Sequence, residues 1–208
     1  CPEVIAWELG KRHEVLVAPT QNLGMAQHHL AFPGTISLRP TTLIAVLRDT
    51  IESLAGHGFR HILFLNGHGG NIATLSAAFA EVYAERSMRR GGEPAAPLHL
   101  STHNWFAGPR VRKLAESLYG DAEGTHATAS EIALSWYAHP ESIKQAELTP
   151  RVAPRGSAGG DADECRRRFP EGRMGSDPAL ASVEQGQQLF EAGVTDCWEA
   201  YRAFIDTV

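Results

Sequence analysis

The sequence has few cysteines, no long hydrophobic run and no excess of basic residues. Its three cysteines, Cys1, Cys165 and Cys197, are widely spaced and form neither a disulfide framework nor a zinc-knuckle pattern, which favours a reducing cytoplasm. No run of about 18 apolar residues is present, so a transmembrane helix is excluded. The formal net charge of −5 argues against a basic nucleic-acid-binding domain. We therefore expect a cytoplasmic protein with neither a membrane nor a nucleic-acid partner.

Several common catalytic signatures are also missing. The sequence contains no G-x-S-x-G nucleophile elbow, and no cysteine lies beside a local nucleophile signature. It lacks the Gly-Lys-Ser/Thr of a phosphate-binding loop, and Ile72 occupies the third glycine position of a G-x-G-x-x-G pattern. These absences disfavour a serine or cysteine hydrolase, a nucleotide triphosphatase and a dinucleotide-binding enzyme.

The length of 208 residues, with 43% hydrophobic and 21% charged residues, predicts a single globular domain over 1–208. Residues 150–180, rich in Gly, Pro, Arg and Asp, are expected to form an irregular surface excursion. Strands alternating with helices predict an α/β fold with a mostly parallel sheet covered on both faces. The apolar spacing predicts helices over 2–13, 41–55, 72–86, 111–119, 129–137 and 183–205, strands over 14–18, 61–65 and 97–101, and a weaker candidate strand at 35–38.

The first residue is a cysteine, which is followed by a proline at the first position of the first helix. A mature bacterial lipoprotein also begins with cysteine, but here no spacer separates Cys1 from the helix. We therefore expect that the sequence opens after a loop that belongs to the same protein.

The sharpest motif is Asn66-Gly-His-Gly-Gly-Asn71, which follows an apolar strand and precedes a helix. Ligands of open α/β sheets bind beyond the carboxyl ends of strands. Three glycines let the backbone approach a ligand closely, and the imidazole of His68 could bind a metal or move a proton. The alternative is a tight strand-to-helix turn in which the histidine only caps neighbouring groups. The local pattern leaves both interpretations open.

Two further segments carry histidines. In Gly124-Thr-His-Ala-Thr-Ala-Ser-Glu131, His126 and Glu131 are metal-ligand or acid/base types, but Thr128 with Glu131 also reads as a helix capping box. The capping role and a site role are compatible, because a carboxylate at a helix N-terminus can face a cavity. His28 and His29 stand in a Gly/Pro-rich loop and could line a pocket or bind metal, although loop histidines are often merely exposed.

Four stretches occur in the chain in the following order: Phe32-Pro-Gly-Thr-Ile-Ser-Leu38, Leu65-Asn-Gly-His-Gly-Gly-Asn71, His126-Ala-Thr-Ala-Ser-Glu131 and Gly172-Arg-Met-Gly-Ser-Asp-Pro178. Together they resemble the creatininase (creatinine amidohydrolase) family. The resemblance implies a three-layer α/β/α fold with a two-metal hydrolase site at the strand ends. Members cleave C–N bonds in small cyclic amides, formamides or related substrates with zinc, manganese or iron, and several are hexamers.

The resemblance also implies roles for individual residues. His68 matches a metal ligand, His126 the active-site histidine, and Glu131 a carboxylate that serves as ligand and in catalysis. Creatininase has a glutamate where this chain has Gly70, so Glu131 must supply that function. The family's Glu-x-His pair and bridging Asp, which precede the first helix, are absent from this chain, so a two-metal site is expected only if they are present in the whole protein. The expected substrate-binding residues are His29, Gly69, Gly70, Asn71 and Trp105.

The resulting hypothesis is a metal-dependent amidohydrolase in which a metal-activated water attacks a small-molecule amide. The alternative is a non-catalytic small-molecule binder or oligomeric scaffold with a degenerate metal site. Residues 20–40 and 150–180 are long irregular segments, and such segments are uncommon unless functional or docked. We therefore expect a homo-oligomer, with a hexamer as one expected assembly, in which one of these segments packs on a neighbour's pocket.

Overall fold

The computed structural model describes residues 1–89, 96–144 and 146–206. None of the helices within those ranges is both long and apolar enough to cross a membrane. The main elements in chain order are α1 (Pro2–His13), α2 (Pro40–Gly56), β1 (His61–Asn66), α3 (Ile72–Met88), β2 (His99–Asn104), α4 (Pro109–Tyr119), α5 (Ala129–Ala138), α6 (Ala162–Arg168) and α7 (Val183–Asp206).

The sheet of the described residues consists of β1 and β2, which run parallel and are linked by the crossover helix α3. The register pairs His61 with His99 at one end and Asn66 with Asn104 at the other. Both predicted strands are therefore confirmed, with β2 extending three residues further than expected. The carboxyl ends of the two strands, and the turns that follow them, lie side by side.

Helices cover both faces of this sheet. Because side chains alternate along a strand, Leu63 and Leu65 face one side of β1, and Ile62 and Phe64 face the other. The first pair packs against a core built from α1, α4, α5 and α7, and the second against α2 and α3. The three-layer α/β/α arrangement expected from the sequence is therefore present.

The strands expected at 14–18 and 35–38 do not form. Glu14 ends α1 in the left-handed conformation, with φ of 56°. In the run that follows, Val15 packs against the core, but Leu16 is 76% exposed. The apolar run is extended chain beside the core without the ladder pairing that defines a strand, and its composition alone could not distinguish the two states.

Residues 150–180 are irregular over most of their length, as expected, but they are not only a surface excursion. They contain α6, and Cys165, Phe169 and Met174 form a buried cluster there. The guanidinium of Arg173 is also buried, and it donates to the carbonyl oxygens of Pro150 at 2.9 Å and of other residues in the same segment. A buried cation that is well hydrogen-bonded orders a segment despite its high Gly and Pro content.

The buried thiol of Cys197 on α7 predicts a loss of stability in alkali. Burial, and then the nearby carboxylate of Asp196, raise the pKa of Cys197 from 9.0 to about 11. The unfolded chain loses this proton first, so stability is complete below pH 9 and falls as pH rises to 11, by on the order of 2 kcal/mol. Thermal denaturation from pH 7 to 11 should show a shallower decline for Cys197→Ala than for the unaltered protein. Parallel curves would contradict the assignment.

Candidate active site

A cavity of about 1080 Å³ lies beyond the carboxyl end of β1. Open α/β sheets bind ligands at this end of the strands. Its volume slightly exceeds the usual range for small-molecule pockets, which is about 300–1,000 Å³. The ionisable side chains on its wall include those of His28, His29, His68, His126, Glu123 and Glu131.

The carboxamide of Asn66, the last residue of β1, organises the turn that carries His68. Its Nδ2 donates to the backbone oxygen of His68 at 2.8 Å and to Oδ1 of Asn104 at 2.7 Å. Its Oδ1 accepts from the backbone N–H of His68 and from Nδ2 of Asn71, both at 3.2 Å. Asn66 is buried, and these four bonds satisfy both donors and both acceptor positions of its side chain.

Asn71 extends this network to the loop that carries the other two histidines. Its Oδ1 accepts a hydrogen bond from the backbone N–H of Met25 at 2.9 Å. The same turn therefore sets the position of His68 and the approach of the segment that leads to His28 and His29.

Glycine is required at position 70 for His68 to occupy its place. A Cβ atom at Gly70 would lie 2.7 Å from Cε1 of His68 and 2.9 Å from the backbone oxygen of Met25. Both distances are shorter than ordinary van der Waals contact. The imidazole of His68 therefore packs over the bare backbone of Gly70, where only a glycine leaves it room.

Three histidines bring their ring nitrogens together at this turn. One ring nitrogen from each of His28, His29 and His68 lies within 4.8 Å of the others, a spacing that could hold a metal ion. The ring centroids of His28 and His29 are 4.1 Å apart, and those of His28 and His68 are 5.8 Å apart. Nε2 of His29 is buried, and within the described ranges it has no hydrogen-bond partner. A buried nitrogen without a partner fits a residue that is completed by a bound cation.

Three of the cavity histidines, His28, His29 and His126, are held towards the neutral form. Burial lowers the pKa of His28, His29 and His126, that of His29 to about 4, and the neighbouring imidazoles lower it further. For His126 the carboxylate of Glu131 acts in the opposite direction and favours the proton. A neutral imidazole is the form that ligates a metal or accepts a proton, so the cavity is prepared for either chemistry near neutral pH.

The segment around α6 holds the histidine loop in place. Phe32, three residues after His29, packs against the buried cluster of Cys165, Phe169 and Met174. The guanidinium of Arg166 lies over the Phe32 ring, 4.3 Å from its centroid. The region expected to be surface excursion is therefore a support for the site.

The same segment fixes His126. The backbone oxygen of His126 accepts from the N–H of Met174 at 3.2 Å and from Oγ of Ser176 at 3.0 Å. The His126 ring stacks on His29, with centroids 4.3 Å apart and planes at 17°. His126 therefore lies next to the cluster of His28, His29 and His68, with which it is in contact through the His29 ring.

Glu131 is both a helix cap and part of the cavity wall. Its Oε2 accepts from the backbone N–H of Thr128 at 3.0 Å, and Thr128 Oγ1 accepts from the N–H of Glu131 at 3.1 Å, which completes the predicted capping box. Glu131 also lines the cavity, so the two interpretations of this residue are compatible, as the sequence suggested.

Sequence reasoning missed Glu123, a second carboxylate on the cavity wall. Glu123 accepts hydrogen bonds from the backbone N–H of Ser130 at 3.1 Å and from Ser130 Oγ. Burial raises its pKa. The only signal in the sequence is an acidic residue eight positions before Glu131, and the fold is needed to bring both to the same helix end.

Most of the predicted site residues meet at the cavity, and two stand away from it. His29, His68, Gly69, Gly70, His126 and Glu131 all belong to its lining. Asn71 is absent from the lining among the described residues, because its side chain is used in the turn network. Trp105 is fully buried in the core between α1, α4 and α7, so it is a packing residue in this structure and does not border the cavity.

Comparison with known proteins gives a family match over nearly the whole chain. The family model described as Creatininase, creatinine amidohydrolase, matches residues 1–201. A mycofactocin precursor peptide peptidase from Mycolicibacterium smegmatis is 27% identical over 191 residues, which cover 88% of this chain and 65% of that protein. A creatinine amidohydrolase from Pseudomonas putida is 33% identical over 75 residues, 34% of this chain and 29% of that protein. The chain thus spans less than two thirds of the length of these relatives.

Solved structures show the same fold. The manganese form of creatininase superimposes with a TM-score of 0.75 at 23% identity, covering 97% of this chain and 80% of that one. A creatininase variant complexed with creatine gives a TM-score of 0.76, also at 23% identity, covering 97% and 81%. At this identity the likeness establishes the architecture alone.

The Asn66 network predicts a specific sensitivity to loss of its donors. Asn66→Asp preserves the shape of the side chain but replaces the donating Nδ2 by an acceptor oxygen. That oxygen then faces the backbone oxygen of His68 and Oδ1 of Asn104. We expect the free energy of unfolding to fall by about 1–3 kcal/mol, the cost of unsatisfied buried groups. Asn22→Asp, at an exposed position, is the matched control and should change it by less than about 0.5 kcal/mol. Urea denaturation of the two variants measures both values, and equal stabilities would contradict the role of Asn66.

Proposed function

Because the chain belongs to the creatininase (creatinine amidohydrolase) family, we propose that it is a metal-dependent amidohydrolase that cleaves a C–N bond in a small cyclic amide, a formamide or a related substrate. One observation carries this proposal: four histidines and Glu131 converge on a single cavity at the carboxyl end of β1. Imidazoles beside a carboxylate offer both metal ligation and proton transfer, the two requirements of metal-assisted amide hydrolysis.

The metal is a divalent cation, zinc or manganese, with iron as a further candidate. His68 is the first residue expected to hold it, and Nε2 of His29, which has no hydrogen-bond partner among the described residues, supports a role for the neighbouring donors as well. When bound, the cation would polarise the substrate carbonyl and lower the pKa of water.

His126 is placed to move a proton. Its ring borders the cavity, stacks on His29, and is neutral because burial lowers its pKa. It can accept a proton from water and return it to the leaving nitrogen, which an amide requires in order to depart as an amine. The Glu131 carboxylate favours the protonated state of His126, so the two residues act together during the transfer.

A second candidate substrate is an amide bond in a short peptide. The cavity volume of about 1080 Å³ favours it, because a small cyclic amide fills only a fraction of that space. The Mycolicibacterium smegmatis relative is named as a precursor peptide peptidase, which points in the same direction.

We also propose a homo-oligomer. The segment 20–40 carries three exposed apolar side chains, Leu23, Leu30 and Ile36, close in sequence to the histidines of the cavity. Light scattering of the purified protein at micromolar concentration should give a multiple of the chain mass, and Leu30→Ser with Ile36→Ser should reduce it. A monomeric mass for the unaltered protein would contradict the proposal.

His126→Gln tests the proton-transfer role. Loss of a general acid–base group lowers turnover by about 100-fold or more, and the melting temperature should change little because the backbone of His126, not its ring, holds the loop. Ring opening of creatinine, ammonia release from formamide and the appearance of new amino groups from a set of short peptides identify a substrate and measure the loss. Glu131→Gln should also lower turnover while keeping the cap, since glutamine serves in a capping box.

His139→Gln is the matched control, because this histidine is largely exposed and outside the cavity. It should hydrolyse the substrate at the rate of the unaltered protein. Equal turnover for His126→Gln and the control would overturn the role of His126. Metal binding without hydrolysis of any probe would favour the non-catalytic binder.

A further inference from the structure

We infer that Arg112 and Lys113 form a cationic rim of the cavity, which binds a carboxylate of the substrate remote from the amide bond that reacts. In a short peptide this group is the C-terminal carboxylate. The inference rests on the proposed function, because it names a second group of the substrate that the hydrolase would cleave. It concerns a part of the cavity wall that neither the histidines nor Glu131 form.

The two cations lie on one face of α4. Pro109, Arg112, Lys113 and Glu116 all line the cavity. Their spacing of three, one and three residues places them along one side of a helix. The sequence therefore presents both cations to the same cavity that the histidines line from other segments.

The start of α4 is held in place by α7. The carboxylate of Asp196 is buried, and its Oδ2 accepts from the backbone N–H groups of Arg110 at 2.9 Å and of Val111 at 3.1 Å. The Arg110 side chain donates to Oδ1 of Asp196 at 2.9 Å and to Glu199. Because the helix is fixed in this way, the rim is preorganised and loses less conformational entropy when a ligand binds.

Neither cation of the rim has a partner in the described part of the chain. The side chains of Arg112 and Lys113 take part in no hydrogen bond or ion pair there. By contrast, Arg110, two positions earlier on the same helix, is paired with Asp196 and Glu199. The two rim charges are therefore available to an anion that enters the cavity.

The cavity differs in exposure between its histidines and its rim. His28 is buried and His68 is half-buried, whereas Arg112 and Lys113 are exposed. A substrate would place its reacting amide beside the histidines and leave its charged end at the rim, where it remains partly hydrated. The cavity volume of about 1080 Å³ leaves room for both groups.

The charge and hydrogen-bonding groups of this face suit a carboxylate better than a phosphate. Two cations and the carboxylate of Glu116 leave one net positive charge, and a phosphate monoester carries about −1.5 to −2 at pH 7. Phosphate sites at helix starts use free backbone N–H groups. Here those of Arg110 and Val111 already donate to Asp196. The guanidinium of Arg112 can still bind a carboxylate through two parallel hydrogen bonds.

The test uses matched pairs of peptide probes. N-acetyl dipeptides with a free C-terminal carboxylate are compared with the same dipeptides as C-terminal amides, which lack that one negative charge. Calorimetry measures the dissociation constants, and the appearance of new amino groups measures kcat and KM. We expect the free acids to bind about 10-fold more tightly. The difference should lie in KM and not in kcat, because the carboxylate is remote from the reacting bond.

Two double variants test the rim itself. Arg112→Gln with Lys113→Gln should bring the ratio of the two dissociation constants close to one, and Arg112→Glu with Lys113→Glu should reverse it. A general defect in folding weakens the binding of both probes and leaves their ratio unchanged, so the ratio reports the charge of the rim. Circular dichroism verifies that both variants are folded.

The matched control removes the same amount of charge elsewhere. Arg167 and Lys144 are exposed and do not line the cavity, so Arg167→Gln with Lys144→Gln should keep the 10-fold ratio. Raising the salt concentration from about 0.1 M to 1 M shortens the Debye length from about 10 Å to 3 Å. The ratio should therefore fall with salt in the unaltered protein and in the control, and should not change in Arg112→Gln with Lys113→Gln.

Free acids that bind no more tightly than their amides, or do not bind at all, would overturn the proposal. So would a preference for the free acids that survives in Arg112→Gln with Lys113→Gln. Tighter binding of an amidated dipeptide that carries phosphoserine would overturn the choice of a carboxylate.

The two proposals can fail separately. Preferential binding of the free acids that depends on Arg112 and Lys113, without hydrolysis of any probe, would reject the hydrolase and support the rim. Hydrolysis of both members of each pair with equal kcat/KM would reject the rim and leave the hydrolase in place.

Discussion

The arrangement of the cavity depends on one buried carboxamide, that of Asn66. Four hydrogen bonds join it to Asn104 on the neighbouring strand, to both backbone groups of His68 and to Asn71, which in turn holds Met25. A buried amide with every donor and acceptor used permits few alternative conformations, because any rotation leaves a group unsatisfied. The end of the sheet, the glycine turn and the histidine loop are thereby positioned together.

The site is assembled from segments that are far apart in the chain, and each is anchored by a different interaction. The turn after β1 is held by hydrogen bonds, the loop of His28 and His29 by the packing of Phe32 on α6, and His126 by backbone bonds to Met174 and Ser176. Apolar packing and backbone pairing outside the cavity thus hold polar side chains inside it. The segment around α6 supports two of the three anchors.

Local patterns predicted the parts of the site that are local. The glycine turn and the capping box of Glu131 follow from residues within six positions of one another, so the sequence contained all the information needed. His28 and His29 lie beside His68 only because the chain folds back over about 40 residues. The spacing of apolar residues along the sequence does not indicate such a long-range contact. Trp105 was expected at the pocket because it follows a strand. Its place after a strand does not determine whether its side chain lines the pocket or is buried in the core, and here it is buried. The run at 14–18 had strand composition without a pairing partner, which only the fold reveals.

The bare backbone at Gly70 has a consequence for how this sequence can change. A new side chain there meets both the His68 ring and the Met25 carbonyl, and the second contact is with backbone, which a rotamer change cannot relieve. Substitution at this position alone is therefore disfavoured, and drift is tolerated only when the loop through Met25 shifts as well. Position 70 and the backbone at Met25 are therefore sterically coupled, and a residue larger than glycine at position 70 requires the chain that leads to His28 and His29 to move.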